Sequence, residues 1–122
     1  MCNVLLVVGD RVTRSLIGAQ LKEEGFEVTG ASGIKEATLQ LHNLKIKPDL
    51  LIIDALEQDL AQNTLDLLAG LCPQAPLILV HGAADYPSHL NWPGKVCGLA
   101  RPVTIGQVVA TVKRLLPDSN LT

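Results

Sequence analysis

The feature that most constrains this chain is a recurrent alternation: short aliphatic runs of strand length, each followed by a stretch whose apolar residues recur at helical spacing. Val4-Leu5-Leu6-Val7-Val8 contains no polar residue, is rich in β-branched side chains and ends at Gly9-Asp10, so it reads as a strand buried on both faces. Leu16, Ile17 and Leu21 then share one helical face, charges gather at Lys22, Glu23 and Glu24, and Gly25 stops the helix. Phe26-Glu27-Val28-Thr29 is a short second strand. Ser32 is placed to cap a helix carrying Ile34, Ala37, Leu41 and Leu44, which closes through Lys45 and Lys47 before Pro48. Leu50-Leu51-Ile52-Ile53 is a third strand, ending in Asp54.

Residues Leu56 to Ala61 are less regular, after which Asn63 is placed to cap a helix with Leu65, Leu68 and Leu71, stopped by Pro73. Pro76-Leu77-Ile78-Leu79-Val80 is a fourth strand ending at His81-Gly82. Pro87 and Pro93 allow only a short or irregular helix between Ala83 and Gly94, because each removes a donor and restricts its predecessor. Lys95 to Ala100 is a weaker fifth strand, ended by Arg101-Pro102. Thr104-Ile105-Gly106-Gln107 has the capping-box form, and Ile105, Val108, Val109, Val112 and Leu115 stripe a last helix that Pro117 stops. Residues 1–117 therefore read as one domain and 118–122 as a tail or the start of a linker. The α/β alternation implies a parallel sheet covered by helices on both faces.

Composition narrows the function. Phe26, Tyr86 and Trp92 are the only aromatic residues, so the core is aliphatic and stacking platforms for bases or sugars are nearly excluded. A net charge of -2 provides no electrostatic footprint for nucleic acid or anionic lipid. No apolar run approaches the roughly 18 residues that span a bilayer, and the N-terminus lacks the pattern of a signal peptide, which implies a cytoplasmic protein. Cys2, Cys72 and Cys97 lack metal-ligand spacing and read as reduced core or near-surface residues.

In an open parallel sheet, functional groups collect at the carboxyl ends of the strands, and the residues found there are Asp10, Asp54, His81 and Arg101. Two carboxylates, an imidazole and a guanidinium on one edge suit the joint binding of a divalent cation and an anionic group. Gly-rich phosphate loops and a convincing catalytic triad are lacking.

With those residues in place, the chain resembles the response-regulator receiver domain of two-component signalling from Val4 to about Leu116. Pro48-Asp49-Leu50-Leu51-Ile52-Ile53-Asp54 is similar to that family's strand ending in the phosphoacceptor aspartate. Val7-Val8-Gly9-Asp10 resembles its acidic metal-binding turn, and Leu99-Ala100-Arg101-Pro102 its lysine-proline junction. The resemblance implies a CheY-like (flavodoxin-like) doubly wound sheet of order 2-1-3-4-5, with a short or irregular fourth helix. It implies phosphoryl transfer to Asp54 from a histidine kinase or phosphotransfer protein, His81 and Arg101 at the phosphoryl group, and Mg2+ on Asp10, Asp54 and the Leu56 carbonyl. The signal would pass by protein contacts to an output domain or downstream protein, with a homodimer as one form of partnering. The domain itself would be neither an enzyme in the ordinary sense nor a binder of nucleic acid or membrane.

Several positions depart from the family pattern. Gly9 stands where the first of two adjacent acids is usual, and the Asp10-to-Gly25 spacing is about one residue short. His81 replaces a Ser or Thr, Arg101 a Lys and Gly98 a switch aromatic, and Leu56-Glu57-Gln58-Asp59-Leu60 lacks the usual turn elements. These departures favour a second reading, a pseudo-receiver that acts as a protein-interaction module without phosphorylation. A third class is a small-ligand domain or small-molecule enzyme using His81 as acid or base. Bland roles also stand beside the functional ones: Asp10 as an N-cap, His81 satisfied by backbone, Arg101 paired with a surface acid, and His42 and His89 as exposed bystanders. Trp92 reads as a plug over the core more readily than as a partner contact.

Overall fold

In a computed structural model, which describes residues 2–44, 47–56, 58, 62–82 and 91–116, the alternation is realised as nine elements. They are β1 (Asn3–Val7), α1 (Arg11–Glu23), β2 (Glu27–Ala31), α2 (Ile34–Leu44), β3 (Leu50–Asp54), α3 (Gln62–Leu71), β4 (Leu77–His81), β5 (Val96–Ala100) and α4 (Ile105–Leu115). The strands form one sheet of order β2-β1-β3-β4-β5, and every pairing is parallel, as the resemblance implied. The expected irregular helix falls largely in residues 83–90, and with His89, Pro117 and the 118–122 tail it lies outside the described residues.

Side chains alternate between the two faces of each strand, so one sheet builds two cores. Leu5, Val7, Leu51, Ile53, Leu77 and Leu79 face α2 and α3, while Val4, Leu6, Leu50, Ile52 and Ile78 face α1 and α4. Trp92 plugs the first of these layers, 7% exposed, with Nε1–H donating to the Ala75 carbonyl at 2.9 Å. Burial on both faces explains why the central strands carry unbroken aliphatic runs.

Three local expectations change. Leu16 is 53% exposed, because the buried stripe of α1 is Ile17, Gly18 and Leu21, and Leu16 is rotated out of it by one residue. Gly18 is buried in that stripe, and a Cβ there would make ordinary contacts, 3.8 Å from Val28 and 3.9 Å from Leu6. Asn63 is not a cap, since α3 begins at Gln62; its Oδ1 accepts from Thr64 N–H instead. Ser32 lies two residues ahead of α2 and donates its N–H and hydroxyl to Glu36 rather than accepting from the helix. The capping box is present as read: Gln107 N–H donates to Thr104 Oγ1 at 3.1 Å, and Thr104 N–H to Gln107 Oε1 at 2.7 Å.

Candidate functional site

Because all five strands run the same way, their carboxyl ends meet at one edge, where a cleft of about 710 Å3 opens. Asp10, Asp54, Leu56 and Arg101 line its polar wall, and Ile17 and Val108 line its floor. Asp54 is the last residue of β3, and Arg101 directly follows β5, so residues 47 apart in sequence come into contact. Arg101 Nη1 donates to Asp54 Oδ1 at 2.6 Å, and Leu56 N–H donates to the same oxygen at 3.0 Å. Both contacts fall on Oδ1, while Oδ2 accepts no hydrogen bond from the described residues. The pair is only 27% (Arg101) and 17% (Asp54) exposed, shielded enough for a charge-assisted bond to persist yet open to a ligand.

Asp10 lies on the same cleft but serves first as the N-cap of α1. Its Oδ2 accepts from Thr13 N–H at 3.0 Å and from the Thr13 hydroxyl. The Thr13 hydroxyl and N–H hold the Asp10 carboxyl below its ordinary range, assisted by the charge of Arg14. The cap is therefore fully formed above the ordinary aspartate range and is lost only as pH falls through the lowered value.

His81 ends β4 but does not line the cleft. Its Nδ1 lies 2.9 Å from the Gly82 carbonyl, and a carbonyl only accepts, so that nitrogen carries a hydrogen. The imidazole is thus tied to the backbone through Nδ1, and its ring lies off the cleft that Asp10, Asp54 and Arg101 share.

Three neighbours of the site escape sequence reasoning. Thr13 follows Asp10 at capping spacing and was legible in principle. Arg14 donates from Nη1 to the Val8 carbonyl at 2.7 Å, with its stem laid along Gly30, where a Cβ would come within 3.4 Å of Arg14 Cδ. Gln58 donates to the Ser32 carbonyl at 3.1 Å and lies beside Gly9 and Gly33, a position nothing in the sequence announces. Asp10, Asp54 and the Leu56 carbonyl are the groups here that would serve a divalent cation, a thin set but within the one or two carboxylates that magnesium takes; among the described residues no three His, Cys, Asp or Glu side chains come together. Among these residues, too, no helix is long and apolar enough to cross a membrane.

No family model matches the sequence, and no curated protein matches it. Solved structures do. The receiver domain of the hybrid histidine kinase CckA is 25% identical, with a TM-score of 0.73 over 93% of this chain and 98% of that one. NtrX from Brucella abortus is 20% identical, with a TM-score of 0.75 over 98% of this chain and 28% of its own. The chemotaxis protein CheY4 of Vibrio cholerae is 19% identical, with a TM-score of 0.70 over 95% of this chain and 99% of that one.

Proposed function

We propose that this chain, which has the fold of the receiver domains of two-component response regulators, accepts a phosphoryl group on Asp54. The observation that carries the reading is the Asp54–Arg101 contact at the cleft: a strand-end carboxylate whose Oδ1 is held by a guanidinium at 2.6 Å and by Leu56 N–H, with Oδ2 left as the nucleophile. Oδ2 attacks the phosphorus of a phosphohistidine on a kinase or phosphotransfer protein. The O–P bond forms as the P–N bond breaks, and the electron pair returns to the donor imidazole, which takes up a proton. Such transfer depends on positioning and charge neutralisation, and Arg101 is placed to supply both to the phosphoryl oxygens. Asp10, Asp54 and the Leu56 carbonyl are the groups that would share a magnesium ion with those oxygens and so help to neutralise them. The domain acts in the cytoplasm through contacts with an output domain or downstream protein, not as a turnover enzyme.

Treatment with acetyl phosphate followed by intact-mass measurement tests this. One phosphoryl adduct is expected on the wild-type chain and none on Asp54→Asn; equal labelling of both, or of neither, overturns it. The phosphorylation-independent reading is favoured by Gly9, by Gly98 and by His81 lying off the cleft, and its mark is a partner held equally well by wild type and Asp54→Asn.

A further inference from the structure

The geometry points to Gln58 as a positioning residue for the phosphoryl acceptor: its side chain ties the segment after β3 to the loop after β2 and so keeps the Leu56 amide on Asp54. The inference rests on the reading of Asp54 as that acceptor and names what holds its carboxylate in place. Leu56 N–H is one of the donors on Asp54 Oδ1, at 3.0 Å. The Leu56 side chain is 53% exposed, so its packing does little to fix the backbone that carries this amide. Hydrogen bonds fix it instead. On one side of Leu56, the buried Ala55 donates its N–H to the Val80 carbonyl at 2.8 Å, which extends the pairing of β3 with β4 beyond Asp54. On the other side, Gln58 N–H donates to the Ala55 carbonyl at 3.2 Å, and Gln58 Nε2 donates to the Ser32 carbonyl at 3.1 Å.

The second of these Gln58 bonds joins residues 26 apart and crosses the end of β1, because the sheet places β1 between β2 and β3. The amide that makes it lies against two glycines: a Cβ on Gly9 would sit 3.6 Å from Gln58 Nε2, and one on Gly33 3.5 Å from Gln58 Oε1, both ordinary contacts. The Leu56 carbonyl is 3.9 Å from the same point at Gly9, so the tie and the backbone it steadies share one notch. Gln58 does not line the cleft, so it acts through Leu56 and not on the phosphoryl group. It stands in the segment that lacks the family's usual turn elements, and it gives that segment a constraint of its own. Without the tie, only the Ala55 end would hold the Leu56 amide toward Asp54 Oδ1 among these bonds, and the carboxylate would lose a donor whenever the segment swung away.

Amide hydrogen exchange and phosphorylation kinetics on the full chain test this together. Gln58→Met and Gln58→Glu keep the length of the side chain and remove the donor. With no phosphodonor present, Leu56 N–H should exchange at least about fivefold faster in either variant than in wild type, the scale of one neutral hydrogen bond. Leu51 N–H, bonded to the Pro76 carbonyl in the core, should keep its rate. With acetyl phosphate, the labelling rate at saturating donor should fall about fivefold in both variants, while the half-saturating concentration changes by less than about twofold, because Gln58 lies off the cleft. Unchanged Leu56 exchange or an unchanged labelling rate overturns the proposal. So does faster exchange of Leu51 in step with Leu56, which would mean a general loosening of the fold. Failure of the phosphoacceptor reading looks different: a wild-type chain that gains no adduct, while its Leu56 exchange still depends on Gln58, sinks that reading and leaves Gln58 as the residue that holds the Asp54 contact.

Discussion

Asp10 and Asp54 both follow an aliphatic strand, yet they do different work. Asp10 finds its partner three residues on, in Thr13, and becomes a helix cap; Asp54 finds its partner 47 residues on, in Arg101. Spacing reveals the first partnership and not the second. Cys72 shows the same dependence on surroundings. It is buried, donates to the Leu68 carbonyl at 3.2 Å, and burial pushes its thiol up to about 11. Because the folded state holds this proton more tightly than the unfolded state, stability is fully present below the ordinary value of 9.0 and falls as pH rises toward about 11. Urea unfolding across that range should show the decline in wild type and its loss in Cys72→Ala; parallel curves would refute it. Trp92, read from its setting as a plug, is one, and the backbone beside it is tight: a Cβ on Gly94 would lie 2.6 Å from the Ala75 carbonyl, which also accepts from Trp92. Gly94→Ala should lower the unfolding free energy by about 1–3 kcal/mol, the range for overpacking a filled site.

At the scale of elements, local signals place the strands and helices but misassign some faces and ends. The stripe of α1 misleads because Leu16 is apolar yet exposed, while the small Gly18 takes a buried place in it. The start of α3 is set partly by Gln62, whose side chain donates to Asp66 and to the Asn91 carbonyl and accepts from Asn91 N–H, a long-range tie that overrides Asn63 as a cap. In α4 the local signal is complete, and Thr104→Ala should cost about 1 kcal/mol by removing the hydroxyl that accepts from Gln107 N–H. Gly70 offers the opposite change. It lies within α3 with nothing inside 4 Å of an added Cβ, so Gly70→Ala should stabilise by about 0.5–1 kcal/mol through helix propensity. Denaturant midpoints of the two variants, moving in opposite directions, check both.

For the whole molecule, β1, β3 and β4 belong to both hydrophobic layers, so neither layer can be lost while the other remains intact. Trp92 reports on the α2/α3 side, whereas far-ultraviolet circular dichroism reports on helices of both sides. Their urea transitions should superimpose, and separate midpoints would show that the layers melt independently. By itself the sequence determined the fold class, the place of each strand and the edge at which polar residues gather, because hydrophobic periodicity and turn residues act over a few neighbours and parallel strands must align their ends. The Asp10 cap too was legible from its spacing to Thr13, and only the tertiary structure decided the rest: His81 to backbone, Asp54 to Arg101, with Arg14 and Gln58 drawn in beside them. The decisive contacts, those of Arg101 and Gln58, join residues far apart in the chain, and a hydrogen bond of that kind exists only once the sheet has brought its ends together.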